Sequence, residues 1–390
     1  MRILMVHPHD LFHNSEPWTI RIKSIAFRLK EKGHQVKLVH FPFSANQAKQ
    51  EENKFSIETI PLNRAPCPVA FLKNTQRLKR AAEWADILHF QKCHHYAAVP
   101  SLLAGYLTGT PLHYDWDDWE EKIWYESCGK GINPRFIGFS FKILESWLPV
   151  LAETVSCASA YLKSLSKRLG VKSNCIFDAP VGADLERFRP SLDGSRIKKQ
   201  YDITGDLVLY VGQLHGAQYV DSLIKAANVV LHRRPDAKFL IVGEGFMEPF
   251  LRQLVCELGL EQKVIFTGSI PYQQVPYYLA AASVCVAPFN DTEVTRCKSP
   301  LKIAEYLAGG KAIVASNVGE VRKMVGGAGI LVVPGDQRGL ADGITRLLED
   351  KILRKKLEKF ARRRAESRYN WAYTTDSLLS AYQKNIRLDI

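Results

Sequence analysis

Three aspartates cluster in the segment PLHYDWDDW (111–119), directly after a short apolar run that is typical of a buried strand. Trp116 and Trp119 flank these aspartates, Asp115, Asp117 and Asp118, and aromatic surfaces of this kind stack on sugar rings. Carboxylates in such a position can orient hydroxyl groups and move protons, but they also cap helices or bind a divalent cation. The cluster therefore indicates a site for a sugar-like ligand, with a helix N-cap and a metal site as the alternatives.

A second segment, SPLKIAEYLAGG (299–310), carries a proline and a lysine at the start of a helical pattern. A helix that begins near Pro300 points unpaired backbone N–H groups and the positive end of its dipole at a ligand. Lys302 lies in the first turn, where its charge can neutralise a leaving phosphate as negative charge develops. We therefore predict a diphosphate site at this helix terminus, with a solvated helix face as the alternative.

Both segments belong to a regular alternation of short apolar runs and longer segments of helical period. This alternation is typical of a parallel sheet with helices on both faces, which binds ligands at the carboxyl ends of its strands. The alternation occurs twice along the chain. The predicted strands are 2–7, 34–41, 86–90, 111–117 and 154–159 in the first set, and 207–212, 238–243, 263–268, 283–289, 311–316 and 330–334 in the second.

The two sets are separated by VGADLERFRPSLDGS (181–195), a stretch rich in proline, glycine and charge that we interpret as a linker. We predict two doubly wound, Rossmann-like α/β domains that face an interdomain cleft, the first over 1–185 and the second over 196–369. Apolar side chains repeat at helical spacing over 370–386. A C-terminal helix is therefore expected to pack back on the first domain.

The composition is that of a folded protein with an affinity for anions. Of the 390 residues, 46% are hydrophobic and 24% are charged, which excludes a disordered chain, and the formal charge of +13 favours anionic partners. The eight cysteines form no zinc or disulfide pattern, and neither a signal peptide nor a spanning helix is predicted. We therefore expect a cytoplasmic protein that meets a membrane only at its surface.

Further motifs follow in a specific order: LVLYVGQL (207–214), FLIVGEG (239–245), the stretch 254–288, SPLKIAEYLAGGKAIVAS (299–316) and GGAGILVVPGD (326–336). Their order and spacing resemble those of the retaining family 4 glycosyltransferases, which have the GT-B fold. The resemblance implies a nucleotide-sugar donor, most readily a UDP- or GDP-sugar, and neither a metal nor another cofactor.

The resemblance also assigns roles to individual residues. Asp117 stands where the family has a catalytic His or Asp that orients the donor and assists proton movement during front-face displacement. We include Asp115 and Lys302 as further catalytic candidates, while Glu305 matches the glutamate that binds the ribose hydroxyls. The other predicted donor-binding residues are Gly212, Gln213, Gln218, Gly243, Glu244, Gly245, Arg296, Cys297, Lys298, Ser299, Pro300 and Leu301.

The chain departs from the family's pattern at three donor positions. The family has an Arg and a Lys on the diphosphate where this chain has Gln213 and Gln218, and a carboxylate on the donor sugar where it has Cys297. Hydrogen bonds to charged groups contribute about 1.5–3 kcal/mol against about 1 for neutral ones, so other cations must compensate. The candidates for this compensation are Arg296, Lys298, Lys302 and Arg21.

The first domain is expected to bind the acceptor, at an anionic membrane surface. The basic amphipathic segments RIKSIAFRLKEK (21–32) and LKNTQRLKR (72–80) suit docking on anionic lipid, with ordinary helix faces over a core as the alternative. The basic residues are dispersed and form no nucleic-acid-binding motif, so nucleic acid is not predicted as a partner. The acceptor-side candidates are His9, Glu16, Trp18, Trp116 and Asp118.

These features predict a retaining, metal-independent glycosyltransferase that moves a sugar from a nucleotide sugar to a saccharide or lipid-linked acceptor. The expected setting is the assembly of cell-surface polysaccharide, lipopolysaccharide or glycolipid, on the inner face of the cell membrane. A catalytically impaired GT-B partner subunit and a nucleotide-sugar 2-epimerase are the alternatives. Asp115-Trp116-Asp117 also matches the Asp-x-Asp motif that binds a divalent cation in the other major glycosyltransferase fold.

Overall fold

The chain forms two compact units, and unit 2 is inserted into the sequence of unit 1. Unit 1 comprises Met1–Pro180, Cys297–Ser299 and Trp371–Ile390, whereas unit 2 comprises Val181–Arg296 and Pro300–Asn370. The computed structural model describes residues 1–12, 16–44, 55–65, 67–127, 132–215 and 219–387.

In its described part, unit 1 has a sheet of seven parallel strands: β1 (Arg2–Val6), β2 (Gln35–His40), β3 (Glu58–Pro61), β4 (Ile87–Gln91), β5 (Leu112–Trp116), β6 (Thr154–Cys157) and β7 (Ile176–Asp178). Their order is β3-β2-β1-β4-β5-β6-β7. Strands β1, β4 and β5 are buried almost throughout, as is typical of central strands in a parallel sheet, although β4 and β5 also bury polar residues. The chain order reverses between β1 and β4, so the loops that follow these strands meet at a switch point where such sheets bind ligands.

The helices of unit 1 are α1 (Pro17–Glu31), α2 (Pro68–Trp84), α3 (His95–Thr108), α4 (Glu120–Ser127), α5 (Ile132–Leu151), α6 (Ala160–Arg168) and the C-terminal α16 (Trp371–Arg387). Helix α1 packs against α16, α2 against α3, and α4 against α5. Helix α1 buries Ile22, Ile25 and Leu29, so its apolar face belongs to the core of the unit.

In the described part of unit 2, six parallel strands form a sheet: β8 (Leu207–Val211), β9 (Lys238–Val242), β10 (Val264–Gly268), β11 (Val284–Ala287), β12 (Ile313–Ser316) and β13 (Gly329–Val332). Their order is β10-β9-β8-β11-β12-β13. The helices are α7 (Ser195–Gln200), α8 (Val220–Arg233), α9 (Glu248–Glu257), α10 (Val275–Ala281), α11 (Glu293–Cys297), α12 (Leu301–Ala308), α13 (Gly319–Val325), α14 (Gln337–Glu349) and α15 (Lys351–Ser367).

The predicted architecture of two doubly wound parallel sheets is confirmed, and each predicted apolar run coincides with an observed strand. Strands β3 and β7 were not predicted. They are the two edge strands of the unit 1 sheet, are three or four residues long, and are only partly buried, so they lack a continuous apolar run. No helix within the described ranges is long and apolar enough to cross a bilayer.

The stretch 181–195, which we interpreted as a linker, packs within unit 2. The Arg362 guanidinium donates hydrogen bonds to the backbone oxygens of Leu185 (3.3 Å) and Phe188 (2.8 Å). Gly194 lies so close to the backbone of Ala281 that a Cβ there would be 2.2 Å from its nitrogen. The first segment of unit 1 ends at Pro180, before the predicted boundary at residue 185.

Candidate active site

Two glycines bring the ends of β8 and β9 together in unit 2. Gly212 and Gly243 have φ values of +147° and +134°, which L side chains rarely adopt. A Cβ on Gly243 would lie 2.0 Å from the Gly212 oxygen, and one on Gly245 would lie 2.4 Å from the Leu214 oxygen. The predicted donor-binding glycines thus create a bare backbone surface at the carboxyl edge of the sheet, beside the exposed Glu244.

The first turn of α12 lies beside this surface. Pro300 is the N-cap of the helix and adopts an extended conformation, so Leu301 and Lys302 begin the helix as predicted. The Lys302 ammonium donates a hydrogen bond to the Tyr210 hydroxyl (3.0 Å), which in turn donates to the Gln213 oxygen (2.9 Å). A Cβ on Gly212 would meet Lys302 Nζ at 2.4 Å, so the cation stands directly over the glycine turn.

Glu305 lies one turn further along α12 and is 4% exposed. Its carboxyl group receives a hydrogen bond from Tyr272, but Oε1 has no hydrogen-bond partner within the described chain. Burial raises the pKa of Glu305 to about 8, against the smaller opposing effects of Tyr272, Lys302 and Arg187. A buried carboxyl with an unpartnered oxygen is costly, and ligand hydroxyl groups would satisfy it.

The cations expected to compensate for the family's Arg and Lys are only partly suited to that role. Arg296 is half exposed and forms a two-pronged ion pair with Asp291, at 2.5 and 2.9 Å. Lys298 is partly buried, and the side chain of Gln213 is exposed. The predicted donor residue Gln218 lies outside the described residues. Of these cations, Lys302 is therefore the one that lies at both the glycine turn and the start of α12.

Cys297 does not occupy a donor site. Its side chain is fully buried in the apolar core of unit 1, and Lys298 and Ser299 follow it in the same unit. Burial raises the pKa of the Cys297 thiol well above its ordinary value. The prediction that Cys297 contacts the donor is therefore wrong, because a thiol enclosed by core side chains cannot reach a ligand.

Asp117 follows β5 in unit 1 and is 8% exposed. Gln91 Nε2 donates a 2.7 Å hydrogen bond to Asp117 Oδ2, whereas Oδ1 accepts none from the described chain. Burial raises the pKa of Asp117 to about 7; the charges of Asp118 and Asp115 act in the same direction, while Lys92 opposes them. A carboxyl that titrates near neutrality and has one oxygen without a hydrogen bond from the described chain is suited to general acid–base chemistry.

Gln91 belongs to a hydrogen-bond chain that sequence reasoning missed. His7 Nδ1 donates to Gln91 Oε1 (2.8 Å), and the Thr19 hydroxyl donates to His7 Nε2 (3.2 Å). With His7 Nδ1 as the donor, the Gln91 amide presents its NH2 group to Asp117. His7 is fully buried, and burial lowers its pKa to about 3, so it remains neutral and acts as a support.

Lys92 was also missed, because nothing in QKCHH marks it. Its φ of +64° is rare for a residue with a side chain, and it turns a 2%-exposed ammonium toward three carboxylates. Lys92 Nζ lies 3.5 Å from both Asp117 Oδ1 and Asp118 Oδ2 and contacts Glu120. Burial alone would lower the pKa of Lys92, but these carboxylates raise it well above its ordinary value.

Asp115 is held in a buried ion pair. Arg21 Nε and Nη2 each donate a 2.8 Å hydrogen bond to its carboxylate, and the Ser156 hydroxyl donates another at 2.5 Å. Burial would raise the pKa of Asp115, but Arg21 outweighs this effect and lowers it. Arg21 also donates to the Ala179 oxygen, so it is committed to the core and cannot serve a diphosphate.

The prediction that Trp116 stacks on a sugar is wrong. Trp116 is fully buried, and its indole N–H donates to Glu145 on α5 (3.1 Å). Glu145 also accepts hydrogen bonds from the backbone N–H groups of Glu120 (2.8 Å) and Glu121 (3.0 Å), so it caps the start of α4. A strand points successive side chains to opposite faces, and this one points Trp116 into the core.

The remaining acceptor-side candidates lie near the switch point. The His9 ring is 5.3 Å from the Trp18 ring, and the Lys92 ammonium is 5.1 Å from the Trp18 ring centre. Burial lowers the pKa of His9 well below its ordinary value, so His9 is neutral. Glu16 is the N-cap residue of α1, and Asp118 is partly exposed. Asp117, His9 and Trp18 are therefore grouped around Gln91 and Lys92.

Comparison with known proteins agrees with this geometry. The model of the family described as glycosyl transferases group 1 matches residues 205–350. The chain is 29% identical over 180 residues to the alpha-D-kanosaminyltransferase of Streptomyces kanamyceticus, covering 46% of this chain and 45% of that protein. It is 31% identical over 215 residues to a GDP-mannose-dependent monoacylated alpha-(1-6)-phosphatidylinositol monomannoside mannosyltransferase of Corynebacterium glutamicum, covering 53% and 56% of the two.

The chain thus spans about half the length of the curated relatives it matches. Among solved structures, Anabaena HepE in complex with UDP and glucose has a TM-score of 0.79 at 18% identity, covering 98% of this chain and 100% of that one. This likeness confirms the GT-B fold. Over residues 205–350, the chain is similar to the group 1 glycosyltransferases.

Proposed function

We propose that this protein is a retaining glycosyltransferase that transfers a sugar from a UDP- or GDP-sugar to a saccharide or lipid-linked acceptor. The expected setting is glycan or glycolipid assembly on the inner face of the cell membrane. The observation that carries this proposal is Glu305, a buried carboxyl with an open oxygen one turn from Lys302 and the start of α12. This grouping matches what a ribose and a diphosphate need: a hydroxyl acceptor, a cation and free N–H groups.

In this proposal, unit 2 stabilises the departing nucleotide diphosphate. The bond between the anomeric carbon and the diphosphate oxygen breaks, and negative charge grows on that oxygen. This charge is stabilised by Lys302, which Tyr210 positions, and by the backbone N–H groups of the first turn of α12. The bare backbone at Gly212 and Gly243 lets the phosphates approach without a side chain in the way.

Unit 1 supplies the acid–base group. The acceptor hydroxyl attacks the anomeric carbon on the face that the diphosphate leaves, and its proton passes to Asp117 or to the leaving phosphate. Asp117 is suited to this step because its pKa of about 7 keeps both of its protonation states populated. Gln91 and Lys92 hold the carboxyl in place.

We propose further that no divalent cation takes part and that no cofactor is needed beside the nucleotide sugar. The two carboxylates of the Asp-x-Asp motif already have cationic partners, since Asp115 pairs with Arg21 and Asp117 lies beside Lys92. Turnover should therefore survive EDTA, and Asp117→Asn should lose most turnover while its affinity for the donor stays near normal. Dependence on manganese would revive a metal role for this motif, and an active Asp117→Asn variant would remove Asp117 from the mechanism.

A catalytically impaired partner subunit is the second candidate. It is favoured by the exposed neutral side chain of Gln213 and by the enclosed thiol of Cys297, since neither replaces the family's charged group. The test is transfer or donor hydrolysis with a panel of UDP-, GDP- and ADP-sugars. If the wild type shows neither reaction and the double variant Gln213→Arg with Gln218→Lys shows one, the protein is a catalytically impaired partner subunit.

A further inference from the structure

The exposed apolar side chains of the described chain are concentrated on one layer of unit 1. Twelve of the twenty-one exposed large hydrophobic residues belong to helices α2 to α5. Right-handed crossovers place the helices between β3 and β6 on one face of the sheet and α1 on the other. Among the described residues of α1 and α16, only Phe27 is an exposed large hydrophobic residue. Patches of this kind mark interaction surfaces.

The densest part of the layer is the outer side of α5. At 100° per residue, five of its six exposed large apolar residues among the described ones fall on an arc of about 80°, and Ile137 lies outside that arc. The opposite side of the helix buries Phe141, Glu145 and Leu148 against the unit, so the exposed arc has no role in the core. This α5 stripe consists of Phe136, Phe139, Ile143, Trp147 and Val150, which are 71%, 56%, 43%, 60% and 48% exposed.

Positive charge borders the α5 stripe. Arg135 and Lys142 are exposed along one side of it, and α2 exposes three further cations, whereas the exposed carboxylates of α2 to α5 are Glu83 and Glu126 among the described residues. A two-fold contact between copies of this chain would bring these cations face to face. An anionic lipid surface complements them instead. The three cations of α2 are Lys73, Arg77 and Arg80.

We propose that the α5 stripe inserts into the head-group region of an anionic bilayer, with α5 lying in the plane of the interface. Twenty helical residues extend about 30 Å, and aromatic side chains favour the boundary between head groups and acyl chains. Helix α1 is less suited to contact lipid than its sequence suggested, since Ile22, Ile25 and Leu29 are buried in unit 1. Helix α2 contributes cations rather than the main apolar contact.

The α5 stripe is connected to the acid–base group through the other side of the same helix. Glu145 accepts the Trp116 indole N–H and the backbone N–H groups of Glu120 and Glu121, and so holds the loop that carries Asp117. A docked α5 thus keeps Asp117 close to the head-group level, where a lipid-linked acceptor presents its hydroxyl. This last step rests on the proposed function, whereas the binding of lipid does not.

The test is co-sedimentation of the full chain with vesicles that contain about 30% phosphatidylglycerol in phosphatidylcholine, compared with phosphatidylcholine alone. We expect Phe139→Ser with Trp147→Ser to lower the partition coefficient at least about tenfold, because two inserted aromatic side chains are removed. The matched control is Phe250→Ser with Ile352→Ser in unit 2, where the side chains are 50% and 85% exposed. It should bind vesicles as the wild type does.

Equal binding of the stripe variant and the wild type would overturn the proposal. A wild-type dimer that the stripe variant converts to monomers, seen by light scattering without any change in vesicle binding, would assign the stripe to self-association and would also overturn it. Hydrolysis of a nucleotide sugar without vesicles is measured in parallel. Vesicle binding without hydrolysis leaves this inference standing and counts against the proposed function, whereas hydrolysis without vesicle binding does the reverse.

Discussion

Replacing Glu305 by glutamine tests whether its carboxylate binds the donor or has only a structural role. Because the pKa of Glu305 is about 8, only about one-tenth of the free protein carries the ionised carboxylate at pH 7. If the ribose hydroxyls bind the ionised form, donor binding must draw on this minor population. Between pH 6.5 and 8.5 the ionised fraction rises from about 0.03 to about 0.76, so the dissociation constant should fall about 25-fold.

The direction in which donor affinity changes with pH follows from the raised pKa of Glu305. A carboxyl whose pKa is raised by burial gives up its proton when the donor binds, so affinity grows as pH increases and levels off above the pKa. Glu305→Gln has no such proton. Its affinity should stay flat across this range, and at pH 8.5 it should be about tenfold weaker than that of the wild type, since a charged hydrogen bond is replaced by a neutral one.

The assay is isothermal titration calorimetry with UDP-glucose and GDP-mannose at several pH values, in buffers with different ionisation heats so that proton release is counted. Glu349→Gln is the control, since Glu349 is an exposed carboxylate of unit 2 at the end of α14. It should retain the full pH dependence. The same rise of affinity with pH in Glu305→Gln, or equal affinity at pH 8.5, would refute the assignment of the ribose to Glu305.

Two further predictions concern unit 1. Lys92 lowers the pKa of Asp117, so Lys92→Met should raise the midpoint of the pH–turnover limb that reports Asp117 by about 1–3 pH units. An unmoved midpoint would make Lys92 a purely structural residue. His89 is buried, and its pKa is about 4 in the folded chain against about 6.5 in the unfolded chain. Between these pH values His89 is protonated in the unfolded chain and neutral in the folded chain. Acidification from pH 7 to 5 should therefore cost the wild type about 2 kcal/mol of unfolding free energy more than His89→Gln in urea titrations, and parallel losses would contradict this account.

The local geometry of the proposed donor site was largely predictable because its signals are local. Gly212 and Gly243 each end a buried strand, and Pro300 and Lys302 begin a helix, so short motifs determine both the backbone and the direction of each side chain. What the motif could not reveal is the burial of Glu305 and its open oxygen. That property depends on Tyr272 and on the packing of α12, which are distant in the sequence.

The surroundings of the proposed acid–base group were predicted less completely because its contacts are long-range. Arg21 and Asp115 are 94 residues apart, and Gln91 and Asp117 are 26 apart, so no local pattern indicates which charges will meet. The same limit explains the error at Trp116. An aromatic residue in a polar segment looks like a ligand surface until both faces of β5 are known to be buried.

The insertion of unit 2 into the sequence of unit 1 has a consequence for biosynthesis. Helix α16 contributes Trp371 to the core of unit 1, a Tyr382 hydroxyl that pairs with His89, and an Asn385 amide that donates to the Leu112 oxygen. At about 5–20 residues per second, the ribosome needs roughly 10–40 s to synthesise the residues between Pro180 and α16. During that interval unit 1 lacks α16, which packs against α1 and against β4 to β7, while unit 2 completes its own core. The part of the chain made first is therefore the last to finish folding.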